Sequence, residues 1–380
     1  MSFMGWTVVV VGVAALGTGV WRGWAEFLGV AAVALLALIS AVPFILVAPR
    51  YSARIELASD RVVVGERAVG RVAVRNSSRR TSPSARLELP VGAACAEFRM
   101  PRLDPGSEHD ELFAIPTQRR TVLTLGPITS VRSDPLGLLR RSSTWSDPQD
   151  LYVHPRVVSL ESDTAGIIRD LEGTPTQHLA DDDINFHALR EYAPGDDLRY
   201  VHWRSTARTG TLMMRQFEQT RRSHLVLALS TRLLDYADED ECETAISVAG
   251  SMGVAALRTG KALTLLTSQG SVPCPTRTGL LDGLAAIDIA PGTSAPGLVE
   301  IARTVGAAAP NASVVALIAG STTPVSHLRA ASVRLPGLVR ALGLRVTPGV
   351  PLTRHTMGDF VYADVPSLEE LRRGMRAVNA

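Results

Sequence analysis

Carboxylates and imidazoles gather in one stretch near the middle of the chain, and such groups could bind a metal ion or exchange protons. They are Asp181, Asp182, Asp183, His187, Asp196, Asp197 and His202. Metal-assisted hydrolysis uses these side chains as ligands or as an acid–base pair. One hypothesis is therefore a metal-assisted hydrolase centred on Asp196, Asp197 and His202. The spacing matches no metal-ligand motif such as HExxH, which favours a structural role for the same residues.

The structural alternative treats the charges of this stretch as a half-buried ionic network. The residues concerned are Arg190, Arg199, Arg204 and Arg208 on one side and Glu191, Asp196 and Asp197 on the other. A Pro-Gly pair predicts a turn, after which Asp196 would cap a helix. Leu198, Val201 and Ser205 fall at helical spacing and would face inward. Trp203 is large and apolar, so we expect it to be buried.

The stretch from Phe186 to Arg208 resembles the defining motif of the bacterial domain-of-unknown-function family 58. That motif runs Arg-x-Tyr, Gly-Asp, Arg, Trp and Ser/Thr-Ala-Arg, and the matching residues here are Arg190, Tyr192, Gly195, Asp196, Arg199, Trp203, Ser205 and Arg208. Upstream, the runs 125–127, 133–139 and 152–157 resemble the same family, although Leu136 and His154 replace its aromatic residues. The resemblance implies a partnership with a MoxR-type AAA+ ATPase and neighbouring membrane proteins. Because no ligand spacing appears in the motif, we expect a structural or partner-docking role for it, with the hydrolase as the alternative.

Beyond residue 222, apolar runs typical of buried strands alternate with helical patterns. Strands are predicted at 224–230, 262–267, 313–318 and 360–362, and helices at 239–259, 296–309 and 367–378. Fully apolar strands that alternate with helices predict a doubly wound parallel sheet with helices on both faces. Residues 223–380 are therefore expected to form one α/β domain.

This predicted domain resembles a von Willebrand factor A-like domain. In that fold the first strand is followed by Asp-x-Ser-x-Ser, whose oxygens bind a divalent ion. The corresponding residues here are Ala228, Ser230 and Arg232. A hard cation needs oxygen ligands, and an arginine would repel it. The resemblance thus implies a degenerate metal site, and we expect no metal and no other cofactor.

Residues 51–155 show the period-two alternation of half-buried strands. Arg54-Ile55-Glu56-Leu57 and Gly70-Arg71-Val72-Ala73-Val74 alternate in this way, and turn residues separate such runs. Short strands at this spacing predict an immunoglobulin-like β-sandwich. Residues 156–222, which contain the motif, would then join this domain to the α/β domain. The expected fold class is α+β multidomain.

Residues 1–50 predict a transmembrane hairpin. Residues 1–21 and 27–49 contain no charged side chain, and a spanning helix needs about 20 apolar residues. Trp21 and Trp24 flank the turn, as interfacial aromatic residues do. Arg50, Arg54 and Arg61 follow the second span, so the positive-inside rule predicts a multi-pass plasma-membrane protein with both termini cytoplasmic. The alternatives are a cleaved signal peptide and a reversed orientation, which would make the remainder an extracytoplasmic surface interaction domain.

The composition favours neither a nucleic-acid partner nor disulfide chemistry. The formal net charge is only +2, whereas nucleic-acid-binding domains present clustered basic faces. Cys95, Cys242 and Cys274 are scattered, which argues against a disulfide framework or a zinc site and fits a reducing compartment. We therefore expect a non-enzymatic, membrane-anchored scaffold or adaptor.

Overall fold

A computed structural model describes residues 3–46, 51–160, 186–193, 196–217, 224–290, 292, 295–337, 339–358 and 360–371. The chain divides into two compact units, Met1–His154 and Pro155–Ala380. Some residues singled out above lie outside the described residues, namely Asp181, Asp182, Asp183, Gly195, the side chain of His187 and the end of the helix predicted at 367–378.

The first unit begins with two apolar helices, α1 (Phe3–Arg22) and α2 (Ala25–Leu46). Both are long and apolar enough to cross a membrane, as predicted from the charge-free runs. Their close packing depends on small side chains, because a Cβ atom added at Gly19 would lie 3.0 Å from the side chain of Leu28. The guanidinium carbon of Arg22 lies 5.2 Å from the ring centroid of Trp21 and 5.6 Å from that of Trp24.

Two β-sheets complete the first unit. The strands are β1 (Tyr51–Leu57), β2 (Arg61–Val63), β3 (Ala68–Asn76), β4 (Ala85–Val91), β5 (Ala94–Met100), β6 (Glu108–Ile115), β7 (Thr121–Leu125), β8 (Thr129–Ser133), β9 (Arg140–Thr144) and β10 (Gln149–His154). One sheet has the order β1-β3-β6, and the other has the order β2-β10-β7-β4-β8-β9 with β5 paired to β4. The predicted alternation is clear in β1, where Tyr51, Ala53 and Ile55 are buried between exposed residues. These side chains share one hydrophobic core with Leu89 and Leu151 of the other sheet.

The second unit contains a two-stranded ribbon and an α/β sheet. The ribbon pairs β11 (Phe186–Glu191) with β12 (Met213–Phe217), and α3 (Trp203–Thr209) lies between these strands in the chain. The following strands are β13 (His224–Leu229), β14 (Ala262–Thr267), β15 (Gly270–Val272), β16 (Val314–Gly320), β17 (Arg340–Val346), β18 (Thr353–Met357) and β19 (Phe360–Val365). The helices are α4 (Glu239–Arg258), α5 (Arg277–Ala285), α6 (Leu298–Ala308) and α7 (Val325–Val333).

The α/β sheet has the order β15-β14-β13-β16-β17-β19-β18. Strands β14, β13, β16, β17 and β19 run parallel, and β15 and β18 pair antiparallel at the two edges. Alternate residues of β13 enter different cores: Leu227 packs in a cluster with Ile246 of α4, whereas Val226 packs in a cluster with Ile301 of α6. Helices on both faces explain why this strand is apolar at consecutive positions. The chain thus has mixed α and β content with several sheets, as the sequence predicted.

Candidate functional site

The motif segment is held together by a bidentate ion pair. Two nitrogens of the Arg190 guanidinium each donate to one carboxylate oxygen of Asp196 at 2.6 Å, and the Ala193 N–H donates to the same carboxylate at 2.9 Å. The hydrogen bonds from Arg190 hold the pKa of the Asp196 carboxyl below its ordinary value. Asp196 therefore remains charged and ties its own position to Arg190 and Ala193.

Asp197, and not Asp196, is the capping residue of the next element, so the predicted cap was wrong by one position. The Asp197 carboxylate accepts the Arg199 N–H at 3.0 Å at the start of a short 3-10 helix, Leu198–Tyr200. The Arg199 side chain also donates to it, at 2.6 and 2.8 Å. The bond from the Arg199 side chain lowers the pKa of Asp197. Asp196 instead binds Arg190 through both of its oxygens.

Helix α3 is fixed at both ends. At its start, His202 Nδ1 accepts the Ser205 N–H at 3.2 Å, and the Ser205 hydroxyl lies 2.8 Å from the same nitrogen. At its end, Gly210 adopts the left-handed conformation with φ of 72°, and its N–H donates to Thr206 O. Glycine is the usual residue for such a helix end because it has no Cβ atom.

Trp203 is exposed, so the prediction that it is buried was wrong. Its exposed fraction is 67%, and that of Leu198 is 58%. The predicted single helix is interrupted at Val201, which is buried and forms an isolated bridge with Met214 of β12. The interruption changes the helical phase, so Leu198 and Ser205 no longer share a face. In α3 the side chains of Ser205 and Thr206 are the partly buried ones, and Thr206 Oγ1 accepts the Met213 N–H at 3.0 Å.

Each residue of the hydrolase hypothesis bonds to a different side chain within the described part of the motif. Asp196 binds Arg190, Asp197 binds Arg199, and the His202 ring binds Ser205. Over the described ranges, no group of three or more His, Cys, Asp or Glu side chains could hold a metal ion. Two carboxylates with lowered pKa values, each paired with an arginine, are poorly suited to give or take a proton near neutral pH.

Tyr192, Arg199 and Arg208 of the motif lie at the surface. Tyr192 is 38% exposed, and its backbone N–H donates to Leu212 O. Arg199 has an 82% exposed side chain in spite of its ion pair. Arg204 and Arg208 are also exposed.

A second group of polar side chains lies at the carboxyl end of β13. Ala228 is inside the strand and packs in the apolar core, so it does not face this group. Ser230 is buried and donates to Asp235 Oδ2 at 2.5 Å. Arg232 donates to Asp235 Oδ1 at 2.6 and 3.2 Å. A guanidinium thus supplies positive charge beside the buried carboxylate.

Three participants in this group, Asp235, Tyr236 and Glu241, were not found from the sequence. Burial raises the pKa of the Tyr236 hydroxyl well above its ordinary value, so the hydroxyl stays protonated and donates to Ser230 O at 2.5 Å. The buried Glu241 carboxylate accepts the N–H and the hydroxyl of Ser321, which follows β16, and also the Ala237 N–H. The signal for Asp235 was its position three residues after Arg232, where opposite charges meet on one helical turn.

The upstream family-like run around Asp134 has a local structural role. The Asp134 carboxylate accepts the Leu136 N–H at 3.0 Å and the Leu139 N–H at 2.6 Å in the connection from β8 to β9. Gly137 has φ of 67° in this turn, and its N–H donates to Asp134 O at 2.9 Å. Burial tends to raise the pKa of Asp134, but the backbone hydrogen bonds outweigh it, and the net pKa lies below the ordinary value.

Comparison with known proteins gives one family match. The model of the family described as "Protein of unknown function DUF58" matches residues 188–333, which include most of the motif and the first part of the α/β sheet. This match confirms the resemblance inferred from the motif. No curated protein sequence matches the chain significantly.

Solved structures show only partial likeness. The CARDB domain of a Pyrococcus furiosus protein, solved with di-metal ions, is 17% identical, and the match covers 28% of this chain and 93% of that one with a TM-score of 0.22. The putative ApaA protein from Bordetella pertussis is 12% identical, with 28% and 94% covered and a TM-score of 0.20. A β-glucosidase from Listeria innocua is 13% identical, with 29% and 17% covered and a TM-score of 0.20. Likenesses at these TM-scores support no conclusion about fold or activity.

Proposed function

We propose that this chain, which belongs to the DUF58 family by its match over residues 188–333, is a membrane-anchored scaffold or adaptor. In this proposal it works with a MoxR-type AAA+ ATPase and with neighbouring membrane proteins. The motif segment is the docking site, and the chain itself carries out no chemical reaction.

The observation that carries the proposal is the exposure of Trp203 within the family motif. A tryptophan that is 67% exposed contributes little to the stability of its own domain, because apolar side chains stabilise a fold in proportion to the area removed from water. Tryptophan and arginine are the residues most enriched among those that dominate binding energy at protein interfaces. The motif therefore has the features of a surface made for a partner.

The architecture fits the anchoring role. Helices α1 and α2 are long and apolar enough for two membrane spans, and the arginines that follow favour cytoplasmic termini. We further propose that the two β-sheets with a shared core form an immunoglobulin-like sandwich. The order in which β13 lies between β14 and β16 is that of a doubly wound sheet and supports a von Willebrand factor A-like domain with a degenerate metal site.

The test is direct binding between purified components. The full chain, solubilised in detergent, would be mixed with the purified MoxR-type ATPase of the same organism, with and without ATP, and the complex measured by size-exclusion chromatography with light scattering. We expect a complex of defined stoichiometry. The absence of a complex in both nucleotide states would contradict the proposal. A metal-dependent hydrolytic activity that Asp196→Asn abolishes without loss of stability would favour the hydrolase hypothesis.

A further inference from the structure

We infer that the exposed face of α3 docks against a protein surface that offers an apolar pocket flanked by carboxylates. This docking face consists of Trp203, Arg204, Ala207 and Arg208. The inference rests on the proposed function and specifies the chemistry of the surface that the partner must present.

The four residues form one continuous face by their spacing. Residues four apart lie next to each other on a helix, so Trp203 neighbours Ala207 and Arg204 neighbours Arg208. All four are exposed, whereas Ser205 and Thr206 are partly buried. The helix is therefore two-sided: its hydroxyl side bonds to its own domain, and its Trp/Arg side faces solvent.

The charges of the docking face require an acidic complement. Helix α3 has the sequence WRSTART and so contains no acidic residue. Within the part of the chain that the structure describes, Arg204 and Arg208 form no ion pair, whereas Arg190 and Arg199 are paired with Asp196 and Asp197. The guanidinium group is a rigid fork that matches a carboxylate with two parallel hydrogen bonds. Two such groups on one face thus favour a partner that places carboxylates beside its apolar pocket.

The docking face is held in place before binding. The His202 and Gly210 caps fix the two ends of α3, and the hydrogen bond from the Met213 N–H to Thr206 ties the helix to β12. A surface that is rigid in the free protein loses less conformational entropy when it binds. Ala207, between the large residues, leaves room for the rim of a pocket around Trp203.

A protein surface explains these residues better than a lipid surface does. Adsorption to anionic lipids typically uses clusters of 4–8 basic residues, each worth about 1 kcal/mol, and this face has two. A central tryptophan with arginines beside it is the composition of a binding hot spot between proteins.

The experiment measures the affinity of the detergent-solubilised full chain for the purified ATPase, by biolayer interferometry, with matched variants. We expect Trp203→Ala to weaken binding by about 30-fold or more, which corresponds to the loss of one hot-spot residue. Arg204→Glu combined with Arg208→Glu should weaken it at least as much, and added salt should weaken wild-type binding. Arg329→Glu combined with Arg334→Glu, at two exposed arginines of α7 and its C-terminal cap, is the charge-matched control and should bind like wild type. Thermal unfolding midpoints should not change, since the substituted side chains are exposed.

Three outcomes would overturn the inference. If wild type binds and both docking-face variants bind equally well, the ATPase contacts another surface, and the proposed function survives alone. If wild type does not bind, the proposed function and the inference fall together. If amide exchange in residues 203–209 slows in nanodiscs of anionic lipid without the ATPase, and does so less in neutral ones, the face binds lipid instead.

Discussion

The buried carboxylate of Asp134 allows a direct test of what stabilises the connection between β8 and β9. Its side chain is 3% exposed, and it accepts two backbone N–H groups in the connection between β8 and β9. Asp134→Ala would leave both partly buried donors without their acceptor. A buried donor left unsatisfied costs about 1–3 kcal/mol, and because these two donors are partly buried we expect a total loss of about 2–4 kcal/mol. Asp134→Asn retains one acceptor oxygen and should cost about 1–3 kcal/mol.

The chain provides its own control for this substitution. Ser146-Asp147-Pro148 repeats the tripeptide Ser133-Asp134-Pro135 in the same unit, but Asp147 is exposed. Substitutions at such surface positions usually change stability by less than about 0.5 kcal/mol. In calorimetry of the full chain, Asp134→Ala should lower the transition of the β-sheet region by about 8 °C or more, because 1 kcal/mol shifts a domain of this size by about 4–8 °C. Asp147→Ala should leave it nearly unchanged.

The same carboxylate predicts a dependence on pH. Because the folded-state pKa of Asp134 lies below its ordinary value of 3.8, its contribution to stability is present above that value and is lost as the pH falls through the folded-state pKa. The difference in melting temperature between wild type and Asp134→Asn should therefore be constant near neutral pH and shrink in acid. Equal melting temperatures for Asp134→Ala and Asp147→Ala would refute this reasoning. So would a difference in melting temperature between wild type and Asp134→Asn that persists in strong acid.

Three further predictions concern the second unit and the anchor. Arg232→Ala should destabilise the α/β sheet by about 3–5 kcal/mol, because it leaves the buried Asp235 carboxylate without its cation. In thermal unfolding, the double variant Arg232→Ala/Asp235→Asn should recover part of this loss, and no recovery would mean that the loss comes from packing and not from charge. Mg²⁺, Mn²⁺ and Ca²⁺ should not raise the melting temperature of the full chain, whereas a ligand at 100 times its dissociation constant would add about 2.7 kcal/mol; a saturable rise would contradict the proposed loss of the metal site. A reporter fused after Ala380 should be active only as a cytoplasmic type, and activity of a periplasmic type would reverse the predicted orientation.

Helices α1 and α2 and strands such as β1 and β13 could be predicted because the pattern of apolar residues within each segment indicates its structure. Charge-free runs longer than a spanning helix predicted α1 and α2, which the structure places at Phe3–Arg22 and Ala25–Leu46. The alternation in β1 and the unbroken apolar run of β13 each reflect how many faces of the strand are buried. Both signals are contained in a few consecutive residues, so a single sequence shows them.

The placement of Trp203 could not be read from local spacing. The helix between Asp196 and Arg208 is broken by the bridge between Val201 and Met214, a contact with a strand that comes later in the chain. Helical periodicity assumes one continuous helix, and the break changes the phase of every residue after it. The size of tryptophan then suggested burial, whereas the structure leaves it in solvent.

The polar group at the end of β13 was found only in part for a similar reason. Ser230 and Arg232 directly follow an apolar strand, so the sequence predicted that they lie at its carboxyl end. The bonds between Glu241 and Ser321 join residues 80 positions apart, and no spacing rule relates them. Glu241 lies in the first turn of α4 beside two other acidic residues, so the amphipathic pattern of the helix does not distinguish it from an exposed charge.

The pairing of Arg232 with Asp235 has a consequence for control of the α/β unit. A metal ion exchanges with solution, so a surface that depends on one responds to chelators and to the supply of that ion. A guanidinium that is covalently part of the chain cannot leave, and its charge does not vary over the physiological range of pH. The charge beside Asp235 is therefore set by the sequence of the loop, and neither chelators nor the supply of an ion can remove it.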